Sequence, residues 1–196
     1  MTVPTRIAGG ADREAVASLL ARAFANDPAM AWIFPDPAVR ADKLPRLFRI
    51  LFDADANAGM RLVTGGGEAA TLWRGPGRAR TDKLGLFRRL IPLLATFGPA
   101  LGRGLAVNAA IEAHMPDGAF WYLHIAGCDP AHQGRGHGRA AIRAGLDRAA
   151  GRLPCHLETA TEANLGFYRT LGFAVTGQWR VSRSGPTFWS MLRPPG

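Results

Sequence analysis

Residues 125–139 read Ile125-Ala-Gly-Cys-Asp-Pro-Ala-His-Gln-Gly-Arg-Gly-His-Gly-Arg139, and this stretch decides the fold. An apolar run over 120–128 enters a turn at Asp129-Pro130, crosses a glycine-rich loop and continues with helical spacing over about 137–150. Gly134, Gly136 and Gly138 remove side chains that would block the approach of a ligand. The free N–H groups of such a loop, with those of the first helical turn, form an anion cradle. Arg135 and Arg139 add positive charge beside it. The residues therefore predict a phosphate or pyrophosphate site and leave the ligand open. A dinucleotide site is one alternative, because a Gly-x-Gly-x-x pattern is present and Glu158 ends the next strand at a suitable offset. That fingerprint belongs on a first strand, however, and here it lies two-thirds along the chain. A merely flexible turn is a second alternative. A Walker loop is excluded, since no Gly-Lys-Ser/Thr follows.

Working outward, the pattern alternates strands and helices. Arg6-Ile7 fits a short first strand, and a helix runs from Asp12 through Leu20 and Phe24, ending at Asn26-Asp27-Pro28. Residues 29–34 are apolar, and a second helix covers about 38–56, with Pro45 near its start able to bend it. Strands over 61–64 and 69–73, joined by Gly65-Gly-Gly67, predict a hairpin. After 120–128 and its helix come a strand at 155–159, a short helix at 164–171 and a closing hairpin of 173–181 with 187–192. This order predicts an α/β fold with a mixed sheet and helices on both faces, built as one domain over 1–196.

The 196 residues are 47% hydrophobic, enough for a full core. The formal net charge is +9, nearly all from arginine, since only Lys43 and Lys83 are lysines. These arginines are scattered without interleaved aromatics, so no nucleic-acid partner is expected. Residues 84–107 are apolar, but Arg88, Arg89 and Arg103 with Pro92 and Pro99 argue for two short amphipathic helices and against a membrane span. Cys128 and Cys155 lie far apart with no metal-ligand cluster, which fits a reducing cytosol; no metal is expected. The N-terminus lacks the apolar stretch of a signal peptide, so a cytoplasmic location is expected.

Two motifs give the chain a family resemblance. Gln133-Gly-Arg-Gly-His-Gly138 resembles the Gln/Arg-x-x-Gly-x-Gly/Ala signature of the GNAT N-acetyltransferases, and Asn164-Leu-Gly-Phe-Tyr-Arg-Thr-Leu-Gly-Phe173 looks like their Asn-x-x-x-Tyr-x-x-x-Gly-Phe element. Both occur in the right order and at the right distance. The surrounding Trp121-Tyr-Leu123, Asp129-Pro-Ala-His-Gln133 and Leu157-Glu-Thr159 are similar to the puromycin N-acetyltransferase-like branch. The resemblance implies the GNAT fold, with a largely antiparallel sheet and one splayed parallel pair. It further implies acetyl-CoA as co-substrate and direct acetyl transfer to the primary amine of a small molecule.

By that resemblance, Ala126, Gly127 and Cys128 pair through their backbone with the pantetheine arm, and Gln133, Gly134, Arg135, Gly136, His137, Gly138 and Arg139 hold the phosphates. Asn164 and Tyr168 share one helix face at a spacing of four; the family places the Asn on the cofactor arm, with Phe167 packing there. The Tyr168 phenol is expected to protonate the departing thiolate. Cys128 is expected to contribute backbone and not to carry an acyl group. For the base, Glu158 comes first, at the end of an apolar strand, with His124 second and Glu112, His114 or a water chain behind them. Tyr122 and His124 share a strand face and, with Trp32, Phe34 and the 83–114 segment, are expected to wall the acceptor pocket. The apolar content there favours a hydrophobic or aromatic amine. A homodimer through the closing strands is a further expectation. The competing readings are a CoA-binding regulatory module without turnover, a transferase for a different acyl-CoA, and a basic nucleic-acid binder.

Overall fold

The hairpin predicted at 61–73 forms as β2 (Gly59–Thr64) and β3 (Ala69–Arg74), and alternation along it defines the two faces of the sheet. Val63, Ala70 and Leu72 join one core, while Leu62 and Trp73 join the other. The computed structural model describes residues 3–80, 90–149 and 151–196. It adds β1 (Thr5–Ile7), β4 (Trp121–Cys128), β5 (Cys155–Thr159), β6 (Ala174–Arg180) and β7 (Thr187–Arg193). The seven strands lie in the order β1-β2-β3-β4-β5-β7-β6, and every neighbouring pair is antiparallel except β4 with β5. β6, with Val175 exposed, is the outer edge on the side of the closing hairpin.

One face carries α1 (Arg13–Ala23), α2 (Pro28–Ile33), α3 (Pro37–Ala54), α4 (Leu90–Phe97) and α5 (Leu101–Ala113). Asp27 and Asp36 cap α2 and α3, each accepting two backbone N–H groups ahead of a proline at the first helical position. Pro45 does not interrupt α3. Of the two helices expected over 84–107, the part at 84–89 lies outside the described residues. The rest forms α4 and α5, separated by a 3-10 turn at Gly98–Ala100 that contains Pro99. By length and composition the run Leu90–Ala113 could cross a membrane; its inner side packs on the core through Phe97, Ala100 and Val107, while Ile91 is 80% exposed.

The other face is covered by α6 (His137–Ala149) and α7 (Asn164–Arg169). α6 sits tightly on β3, and a Cβ at Gly145 would overlap the indole of the fully buried Trp73. Trp73 is further pinned by its Nε1–H bond to Thr71 at 3.0 Å, so the ring cannot slide away. Gly145→Ala is expected to cost about 1–3 kcal/mol through overpacking, read as a lowered midpoint in denaturant at unchanged slope. An unchanged midpoint would mean that α6 rides higher on the sheet.

The parallel pair is short. Trp121 pairs with Cys155 and Tyr122 with His156, and beyond them no further pairing joins β4 to β5. At the same level the register of β4 on β3 skips one residue, because Trp73 faces Leu123 and Leu72 faces Ile125. His124 is the extra residue of this bulge. Bulges bend a strand and re-aim a side chain; here the bend accompanies the opening of a wedge between the two strands.

Candidate active site

The wedge opens on one side into a cavity of about 580 Å³ lined by Ala126, Gly127, Cys128, the loop glycines and the start of α6. Gly134 has φ +75° and Gly136 φ +87°, a backbone region that disfavours side chains, and a Cβ at either position would meet nothing within 4 Å. The loop shape needs glycine, and the space beside it is open. Ala140 N–H bonds to the Gly136 carbonyl at 2.9 Å, so the amides ahead of Ala140 have no place in the helical ladder. Gln133 Nε2 donates to the Cys128 carbonyl at 3.3 Å and ties loop to strand. Arg139 lines the cavity, whereas Arg135 is on the loop but outside the lining. His132 Nδ1 is buried there with no hydrogen-bond partner among the described residues, while His137 Nδ1 is buried with the Glu68 carboxylate 3.6 Å away. Free amides, an arginine and the orphaned His132 nitrogen fit a polyanionic arm. Burial pushes the Cys128 thiol up from its ordinary pKa despite the Gly138 N–H directed at its sulfur, which argues against a thiolate nucleophile.

The other side of the wedge is a larger cavity of about 910 Å³. α2 to α5 supply apolar walls through Met30, Leu47, Leu93, Phe97 and Ile111, and Tyr122, His124 and Glu158 form a polar end. Phe24, Asp27, Ala126, Asn164 and Tyr168 line both cavities and mark where they meet. Tyr168 is 8% exposed, and burial with a contribution from Asp27 pushes its phenol up to about 12. Asn164 and Phe167 both line the smaller cavity from the same helix, α7.

Two buried polar groups underlie the polar end. Glu158 accepts from His156 Nε2 at 2.7 Å and from the Tyr122 hydroxyl, whose pKa is driven well up by burial and by the Glu158 charge. His124 Nδ1 lies 2.6 Å from Asp55 Oδ2, and the fully buried Asp55 also accepts from Arg74 Nε at 2.7 Å. Burial alone would raise the Asp55 carboxyl, but His124 and Arg74 outweigh it and hold it low. Burial lowers His124 in spite of Asp55, so the imidazole is neutral near pH 7.

Two expectations need correction. Trp32 and Phe34 do not line the acceptor cavity: Phe34 is 2% exposed and stacks on Phe97 at 5.5 Å, and Trp32 packs against the same core. Their neighbours Met30 and Ile33 turn inward instead. Of the reserve bases, His114 stacks on Trp179 at 4.2 Å and neither it nor Glu112 lines the cavity. The part of the 83–114 wall at 83–89 lies outside the described residues, and Leu93 to Ile111 supply the rest. Asp55, Arg74 and His156 carry no sequence signal for the site, and Asp27 stands out only in the Asn26-Asp27-Pro28 helix end.

Residues 103–173 match the model of the Acetyltransferase (GNAT) family. A seven-stranded mixed sheet with one short parallel pair, followed by the glycine loop and α6, is the GNAT fold, and the matched segment runs through it from α5 to just past α7. Among individual relatives, the chain is similar to the N-alpha-acetyltransferase RimI of Mycobacterium tuberculosis, with 41% identity over 80 residues. That match takes in 38% of this chain and 49% of RimI, so it spans about half of the relative's length. The solved structure of "histone acetyltransferase HPA2 and related acetyltransferase" from Corynebacterium glutamicum superposes with a TM-score of 0.76 at 28% identity, covering 100% of this chain and 98% of that one. Arylalkylamine N-acetyltransferase 2 from Aedes aegypti shares the fold, with a TM-score of 0.59 at 13% identity over 100% of both chains.

Proposed function

We propose that the protein transfers the acetyl group of acetyl-CoA to the primary amine of a small, largely apolar molecule. The observation that carries this reading is the meeting of two cavities at Ala126, Asn164 and Tyr168, one with a glycine cradle and one with apolar walls and a polar end. Bound in the smaller cavity, acetyl-CoA supplies a reactive thioester. Ala126, Gly127 and Cys128 offer backbone for the arm, and Gln133, Gly134, Gly136, His137, Gly138 and Arg139 surround its phosphates. Arg135 adds charge from outside the lining. Asn164 and Phe167 orient the arm, Tyr168 gives the leaving sulfur its proton, and Glu158 is the counter-ion for an entering ammonium.

A protein N-terminus is the competing acceptor, given the name RimI carries. The family match covers the cofactor side, 103–173, and leaves α2, α3 and β3, which wall much of the acceptor cavity, outside it. Apolar walls on α2 to α5 suit a compact amine better than an extended peptide, and the resemblance to the puromycin-type branch points the same way.

Calorimetric titration with acetyl-CoA tests the first half of this reading, with saturable one-site binding expected. Release of free thiol with 2-phenylethylamine, tryptamine, an aminoglycoside and a short peptide tests the second. Turnover of the aromatic amines is expected. Turnover of the peptide alone would shift the assignment to protein N-termini, and binding without turnover on any amine would leave a CoA-binding module.

A further inference from the structure

Glu158 occupies the place of the expected base, yet its carboxylate already receives two hydrogen bonds, from His156 and Tyr122. Those two bonds fix the carboxylate in place as a counter-ion and occupy lone pairs that would otherwise be open to the acceptor's proton. His124 has the opposite arrangement. It is the bulged residue where β4 leaves β5, its side chain lines the acceptor cavity, and its hydrogen bond at Nδ1 goes to Asp55. Among the described residues no hydrogen bond reaches Nε2, and the side chain keeps 14% of its surface exposed. Asp55 cannot turn away, because Arg74 holds its second oxygen and Arg74 is itself tied to the Ala79 carbonyl at 3.0 Å. With Asp55 accepting at Nδ1–H, the neutral ring must carry its lone pair on Nε2.

We propose that His124 takes the proton from the acceptor's ammonium, and that Asp55, locked by Arg74, is a positioning residue that fixes the tautomer. The inference rests on the acetyl-transfer reading above. His124 Nε2 accepts one proton from the ammonium. The freed nitrogen lone pair then bonds to the thioester carbonyl carbon, and the carbon–sulfur bond breaks. The new amide nitrogen loses a second proton, which restores Tyr168 after the phenol has protonated the sulfur. His124 releases the first proton to solvent, so each cycle yields amide, free thiol and one proton. Among the described residues, the charged groups that act on the ring are Asp55, Arg74 and Glu158, and Tyr122 lies against it with centroids 5.5 Å apart. The apolar walls lower the ammonium's own pKa as it enters, which brings donor and acceptor closer.

The test compares the full-length protein with His124→Gln and Asp55→Asn, using 2-phenylethylamine and acetyl-CoA. His124→Gln is expected to lower kcat about 10²–10³-fold with unchanged acetyl-CoA affinity, and to remove the acid limb that His124 contributes to the parent pH profile. Asp55→Asn is expected to lower kcat comparably and to move that limb to lower pH, since the carboxylate that favours the imidazolium is gone. A purely structural Asp55 would lower the amount of folded enzyme and leave the limb in place. Should Asp55→Asn fail to fold, with Arg74 left unpaired, Asp55→Asn/Arg74→Gln removes both charges and serves the same comparison. Near-parent kcat and an unchanged limb in His124→Gln would overturn the assignment while the transferase reading stands. A parent that binds acetyl-CoA but acetylates none of the amines would overturn both.

Discussion

Gly136→Trp is expected to abolish saturable acetyl-CoA binding, lowering affinity by at least about 100-fold, while the protein still unfolds cooperatively. Two separate effects are built into this substitution. The backbone at Gly136 has φ +87°, so any side chain there adds strain of about 1–2 kcal/mol. An indole also brings bulk, and since a Cβ at this position meets nothing within 4 Å, that bulk extends into open space beside the loop and not into packed core. Gly136→Ala carries the strain without the bulk and separates the two. Weakened but measurable binding in Gly136→Ala, against none in Gly136→Trp, is the expected calorimetric pattern. Parent-like affinity in both would show that the phosphates do not lie against this loop.

Tyr168→Phe is expected to lower kcat about 10²-fold or more and to leave the stability and the acetyl-CoA affinity close to the parent values. The ring fills a buried position between Phe167 and Phe173, with centroids 5.3 and 6.1 Å away, and phenylalanine keeps those contacts. Only the hydroxyl at the junction of the two cavities is lost. With a pKa of about 12 the phenol keeps its proton across the physiological range, so Tyr168 contributes no alkaline fall in kcat below about pH 10. A kcat within about threefold of the parent would remove Tyr168 from the proton path and assign thiolate protonation to water.

Much of the architecture was legible because it is encoded locally. The strand, Asp129-Pro130 turn, glycine loop and helix follow one another within 120–150, and the hairpin around Gly65-Gly-Gly67 is equally short-range. The candidate site was legible on the cofactor side for the same reason. On the acceptor side Tyr122, His124 and Glu158 line the cavity for which the strands proposed them, but their buried partners were not legible. Asp55 meets His124 across 69 positions of sequence, and an isolated aspartate after a helix gives no sign of that partner. The bulge at His124 is invisible to an alternation pattern, since it depends on how β3 and β4 settle against each other. Trp32 and Phe34 were misplaced because helical periodicity marks apolar residues without telling a core position from a cavity wall. Phe34 resolves to core only once Phe97, 63 positions away, stacks on it.

The wedge between β4 and β5 also couples occupancy to thermal endurance. Past Tyr122 and His156 the facing sides of the two strands have no partner in the sheet, so the centre of the molecule holds backbone that a folded domain normally satisfies internally. A ligand arm lying in the gap acts as a missing strand and binds only the folded chain. The stability gained grows as RT ln(1 + [L]/Kd), about 2.7 kcal/mol at a concentration one hundred times Kd. On the acetyl-transfer reading, the protein's resistance to heat and proteolysis is therefore expected to rise with the supply of its donor.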